Sequence, residues 1–86
     1  MAELYLPTTL RRLFADLPRS VDCDGVTVAE AIRLLDARWP GLRDRLCEPD
    51  RIRPNIHVYV DKERATLETP LAAESRVDVI AAISGG

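Results

Sequence analysis

Polar and apolar residues alternate from Glu3 to Leu6, with Leu4 and Leu6 on one face and Tyr5 on the other. Pro7 stops the run, so the pattern predicts a short first strand. Thr8 or Thr9 is then expected to cap a brief helical turn through Leu10, Leu13 and Phe14 that ends before Pro18. Ser20 to Cys23 reads as a second strand followed by a turn at Asp24-Gly25. Thr27-Val28-Ala29-Glu30 has the spacing of a capping box, in which Thr27 accepts from a first-turn amide and Glu30 reaches back. Val28, Ala31, Ile32, Leu35 and Trp39 follow at helical spacing and make one apolar stripe, which Pro40-Gly41 ends. Leu42 and Leu46 continue that spacing in a short second piece that stops at Pro49.

The polar, proline-bounded stretch Asp50 to Pro54 predicts a loop. Ile56, Val58 and Val60 alternate with His57 and Tyr59, a strand pattern. A turn is expected over Asp61 to Arg64 and a short edge strand over Ala65 to Leu67. The last strand is expected from about Arg76 to Ile83, with Val77, Val79, Ala81 and Ile83 on one face and Ile80 and Ala82 on the other. The order strand, strand, helix, strand, short strand, strand describes an α+β roll: a mixed sheet of four to five strands covered by one main helix. Pairing of the first and last strands in parallel at its centre makes it a β-grasp, ubiquitin-like fold over residues 1–83, followed by a Ser84-Gly85-Gly86 tail. Leu4, Leu6, Ile32, Leu35, Ile56, Val58, Val77 and Val79 are the expected core.

At 86 residues there is room for one core. A net charge of −2 with arginines interleaved among acids argues against nucleic-acid binding and describes a solvated, salt-bridged surface. Lys62 is the only lysine among the twelve Lys and Arg residues. Cys23 and Cys47 are isolated, with no CxxC spacing, which suits a reduced cytoplasmic protein. Residues Met1 to Leu4 have no basic region and no long apolar run, so no secretory signal is expected, and nothing approaches the length of a membrane span.

Candidate catalytic groups are sparse. His57 is the sole histidine and lies in a strand, which argues for a surface or interface role over a metal site or catalytic pair. The pairs Asp61 with Glu63 and Asp22 with Asp24 fall in turns, where acids are common. The end of the chain differs. At a glycine frequency of about 7%, two terminal glycines arise in about one chain in 200, yet here they make up half of the four glycines in the sequence. Without a Cβ, such a tail extends through a constriction that other residues would block. Strand alternation also points Tyr5, His57, Tyr59, Ile80 and Ala82 away from the core, an expected partner-binding face that Ser84 joins to Gly85 and Gly86.

These features resemble the MoaD/ThiS family of ubiquitin-like sulfur carriers over nearly the whole chain. The similar stretches are Leu6-Pro7-Thr8-Thr9-Leu10-Arg11, the helix after Thr27, Ile56-His57-Val58-Tyr59-Val60, Thr69-Pro70-Leu71, and above all Val77 to Gly86. Ala81-Ala82 stands where many members carry proline. The resemblance implies a carrier that is not itself an enzyme and binds no cofactor or metal. A ubiquitin-activating type of partner would use ATP to adenylate Gly86, with Gly85 giving access. Conversion to a thiocarboxylate would then supply sulfur to an acceptor enzyme. The branch serving cysteine synthesis is most similar, through Leu4 to Thr8, Arg43 to Leu46 with Glu48-Pro49, and Asn55 to Val60. The alternatives are a molybdopterin synthase small subunit, a modifier conjugated to lysines, and an inert binding module. The free carrier is expected to be a cytoplasmic monomer without nucleic-acid or membrane partners.

Overall fold

The computed structural model describes residues 1–81. Strand β1 (Ala2–Tyr5) pairs antiparallel with β2 (Ser20–Cys23), placing Tyr5 opposite Ser20 and Glu3 opposite Asp22. Its other edge runs parallel to β7 (Arg76–Ala81), in a register that sets Glu3 against Arg76 and Tyr5 against Asp78. On its far side β7 pairs antiparallel with β5 (Ile56–Val60), which carries the short edge strand β6 (Glu63–Arg64). The five-stranded order β2-β1-β7-β5-β6 puts the parallel pair inside the mixed sheet, as the sequence pattern predicts.

One face of this sheet is sealed by helix α2 (Val28–Arg38), whose Val28, Ala31, Ile32 and Leu35 are buried. They meet Leu4, Val21, Ile56, Val58, Val60, Val77 and Val79 from the strands, and all eight expected core residues are buried. The helix start is anchored twice. Thr27 Oγ1 accepts from Glu30 N at 3.2 Å, while Glu30 Oε1 reaches back to accept from Val26 N at 3.1 Å. The segment before β7 then closes over the same end: Val28 N donates to Thr69 O, Ala29 N to Leu67 O, and Leu71 N to Val26 O. Asp36 Oδ1 accepts from Gly41 N and Arg43 N, turning the chain from α2 into α3 (Leu42–Leu46). At Gly41, φ is +97°, where a side chain would be strained.

Three local expectations are corrected. The first helix, α1 (Thr8–Leu13), starts after Pro7 with no side-chain cap, and Thr8 Oγ1 instead accepts from Arg11 Nη2 at 3.4 Å. This two-turn helix reaches the core through Leu10 and Phe14 and leaves Leu13 55% exposed. The expected loop over Asp50 to Pro54 contains half of a small hairpin, β3 (Cys47–Glu48) with β4 (Arg51–Ile52). Three arginines tie it down: Arg43 Nη2 donates to Pro49 O, Arg51 Nε to Glu48 Oε1, and Arg53 Nε to Asp44 O. The edge strand is Glu63–Arg64, ahead of Ala65–Leu67, because a two-residue turn at Asp61-Lys62 sets Glu63 directly opposite Val60. Ala65 continues the ladder with one bond, to Val58 O, and the chain then drops to the start of α2. The expected last strand is described as far as Ala81, and Ala82 and Ile83 lie outside the described residues.

Gly25 is a close approach between β2 and α2. A Cβ there would lie 2.7 Å from Ala31 N and 2.9 Å from Ala31 Cα, both backbone atoms. Gly25→Ala therefore forces the helix off the strand end and is expected to cost about 1–3 kcal/mol, read as a lowered urea midpoint. An unchanged midpoint would show that this contact relaxes freely.

Candidate docking face and carrier terminus

The uncovered sheet face is built by alternation. Since Leu4, Val58, Val77 and Val79 point into the core, their neighbours Tyr5, His57, Tyr59, Asp78 and Ile80 point outward. His57 and Ile80 are direct cross-strand partners, and Ile80 is 48% exposed. Tyr5 and Tyr59 flank Asp78 from either side, in a row that runs Ser20, Tyr5, Asp78, Tyr59, Arg64 across all five strands. The structure thus brings together Tyr5, His57, Tyr59 and Ile80. Ala82, Ser84, Gly85 and Gly86, the remaining expected site residues, lie outside the described residues.

The face has two chemically different ends. Around Tyr5 it is polar and internally bonded: Tyr5 Oη donates to Glu3 Oε1 at 2.9 Å and Ser20 Oγ to Glu3 Oε2 at 3.3 Å. The Arg76 guanidinium lies over the Tyr5 ring at 4.0 Å and pairs with Asp78 Oδ1 at 3.2 Å. The Glu3 hydrogen bond pushes the Tyr5 phenol above its ordinary range, with Arg76 pulling the other way. Ionisation would break that bond, so the network is intact below the ordinary phenol range and is lost as pH rises through the shifted value. Sequence reasoning missed Glu3, Arg76 and Asp78 as members of this face. The same alternation that selects Tyr5 and Ile80 also selects them. The other end, where β7 leads to the tail, is apolar at Ile80, and His57 Nδ1 there is enclosed without a hydrogen-bond partner among the described residues.

Nothing else in the described structure gathers catalytic groups. Among the described residues no three His, Cys, Asp or Glu side chains are grouped to hold a metal, and no helix is long and apolar enough to cross a membrane. A groove beside β5 has an apolar floor of Ile52, Ile56, Val58 and Leu67 and is edged by Arg51 and Arg64, with neither a histidine nor a cysteine. Cys23 and Cys47 are free and buried. Burial pushes the Cys47 thiol up, against a partial downward pull from Arg43 and Arg53. Both thiols should resist an aromatic disulfide reagent in the native protein and react together on unfolding. Rapid native labelling of Cys47 would contradict this.

The ThiS family model matches residues 4–86. The chain belongs to the ThiS family. Solved structures give the same fold. A chain of the Amycolatopsis orientalis BexX/CysO complex is 28% identical, with full coverage of both chains and a TM-score of 0.90. CysO of Mycobacterium tuberculosis is 26% identical, covering 96% of this chain and 100% of its own, with a TM-score of 0.85. SAMP1 from Haloferax volcanii is 29% identical, covering 99% and 98%, with a TM-score of 0.77. No curated protein matches the sequence. This ThiS-family chain is thus a β-grasp, ubiquitin-like small carrier or modifier with a CysO-like fold.

Proposed function

We propose that this ThiS-family chain is a cytoplasmic sulfur carrier, whose Gly86 carboxylate is adenylated by an ATP-using partner and converted to a thiocarboxylate. The observation that carries the reading is the Gly85-Gly86 terminus following β7 in a family match that runs through Gly86. A free carboxylate does not react with sulfur nucleophiles. Attack of its oxygen on the α-phosphorus of ATP releases pyrophosphate and leaves a mixed anhydride. A persulfide sulfur then attacks the carbonyl carbon, AMP departs, and a second thiol cleaves the S–S bond to leave the thiocarboxylate. No bound cofactor is required on the carrier.

Docking is assigned to the apolar end of the open face, Ile80 and His57 with Tyr59, and by sequence alternation to Ala82 and Ser84, which lie outside the described residues. His57 sits directly across from Ile80 and adds its ring to the surface offered at this end of the face. A carrier held at this patch delivers its terminus at a fixed reach, which lowers the entropy lost on entering the partner's site. The CysO-like fold and the BexX/CysO assembly favour a biosynthetic acceptor enzyme, for cysteine or a related thio-metabolite. Similarity to SAMP1, a small archaeal modifier protein, favours a second reading in which the same terminus is joined to lysines.

ATP–pyrophosphate exchange by an adenylating enzyme tests the reading, with the carrier as varied substrate. Ile80→Asp buries a charge at the docking patch and should raise the apparent KM at least about tenfold, a loss of about 1.4 kcal/mol. The urea midpoint should stay unchanged, because Ile80 makes no core contribution. Equal exchange kinetics for the two proteins would move the docking surface elsewhere, and no stimulation by either would contradict adenylation.

A further inference from the structure

Among the described residues four large apolar side chains are exposed: Met1, Leu13, Val26 and Ile80. Ile80 belongs to the open sheet face. Met1 and Val26 meet at the opposite end of the sheet, where Ala2 pairs with Cys23 and Leu71 N donates to Val26 O at 2.9 Å. With Leu71 they rim a cleft of about 210 Å³ over the buried Ala2 and Cys23. An apolar cavity of about 150 Å³ already holds a benzene ring, so one aliphatic side chain fits here. Asp24 is the only charged side chain in the lining. Glu30 Oε1 accepts from Val26 N at 3.1 Å, and the exposed Asp22 and Glu74 adjoin Cys23 and Ala73 in the chain. The nearby cations are Arg33, 4.0 Å from Glu30 Oε2, and the α-amine of Met1. The balance around the cleft is acidic.

The matching surface lies at the other pole. Leu13 is 55% exposed at the end of α1 and follows Arg11 and Arg12, whereas Ile80 lies between Val79 and Ala81 and across from His57. Leu6 N donates to Arg19 O, which brings a third arginine to the start of α1, and Asp16 is the one acid from Thr8 to Arg19. Position 41, beyond the end of α2, adjoins Phe14: a Cβ on Gly41 would lie 3.9 Å from the Phe14 ring. Val26 stands just before the start of the same helix. The 11 residues of α2 separate the two surfaces by about 16 Å at about 1.5 Å per residue. Leu13 therefore cannot enter the cleft of its own chain.

We infer that Leu13 of one copy seats in the Met1–Val26 cleft of a second copy, with Arg11 and Arg12 beside Asp24 and Glu30. The chain then self-associates end to end, in place of the free monomer expected from its sequence. A contact between two different surfaces of one chain adds further copies unless it closes on itself. The apolar seat supplies the attraction and the opposite charges set its orientation.

Sedimentation equilibrium of the full chain tests this, at loadings up to about 1 mM, the weak end of the affinity scale. The weight-average mass should rise with concentration. It should fall back as added salt shortens the screening length to about 3 Å near 1 M. Leu13→Gln and Val26→Gln should each weaken association at least about tenfold, with urea midpoints unchanged because both side chains are exposed. If Val26→Gln lowers the midpoint, Ala72→Gln puts the same group into the cleft from another exposed position. The decisive sample is an equimolar mixture. A Leu13→Gln chain keeps its cleft and a Val26→Gln chain keeps its leucine, so mixing should restore a pair that neither forms alone. A monomer at every loading, association indifferent to salt, or a mixture no heavier than its parts overturns the contact.

Discussion

Leu35→Ala should lower the unfolding free energy by about 2–5 kcal/mol, the usual range for emptying a leucine site that cannot collapse. Leu35 is 1% exposed on the inward stripe of α2, the main helix covering the five-stranded sheet. It belongs to one core cluster with Leu42 and Leu46 of α3, and the strands opposite are fixed by their ladders. Small domains hold about 5–15 kcal/mol in total, so this one substitution removes a large share. Urea unfolding followed through Trp39 measures it well. Trp39 is the sole tryptophan, closes the end of α2, and lies under the Arg38 guanidinium at 4.4 Å. A lowered midpoint at unchanged slope is the expected result. A loss below about 1 kcal/mol would mean that α2 does not seal the sheet.

Deleting Gly86 should abolish sulfur loading while leaving the urea midpoint where it is. In the proposed reaction the terminal residue carries the carboxylate that reacts, and without it the next carboxylate, on Gly85, stops one residue short of the activating site. At about 3.3–3.6 Å per residue the shortfall exceeds the tolerance of in-line attack on a phosphorus, where about 1 Å of misplacement already costs roughly a hundredfold. Adding one alanine after Gly86 should fail for the opposite reason, by carrying the carboxylate past the site with a side chain in the channel. Trimming of the added residue by a protease should restore loading. If the deletion variant loads sulfur as well as wild type, the terminus is not the reacting group.

The elements readable from sequence were those long enough to show a period. The α2 stripe repeats over three turns behind a Thr27 cap, and Ile56, Val58 and Val60 alternate over five residues, so both appear close to where the pattern placed them. Strands β3 and β4 are two residues each, too short to alternate, and arginine contacts to backbone carbonyls outside the strands hold the hairpin, contacts that no local pattern records. The turn expected over Asp61 to Arg64 is confined to Asp61-Lys62, and its length was not legible because its positive-φ positions hold neither glycine nor asparagine, the usual signal. On the open face, attention to aromatic and aliphatic residues picked out Tyr5, His57, Tyr59 and Ile80 but passed over Glu3, Arg76 and Asp78, whose pairing follows from the parallel β1–β7 register. That register brings together residues more than seventy positions apart. The proposed carrier terminus needed no fold to be noticed, because two glycines at the end of a glycine-poor chain stand out as composition.

The most direct measurement is the intact mass of the carrier after incubation with ATP, an adenylating enzyme and a sulfur source. The account predicts replacement of one oxygen by one sulfur, located by fragmentation at Gly86, and capping of the product by an alkylating reagent at that terminus. A mass that never changes with an enzyme that demonstrably adenylates Gly86, or sulfur found on Cys23 or Cys47 in place of the terminus, would contradict it.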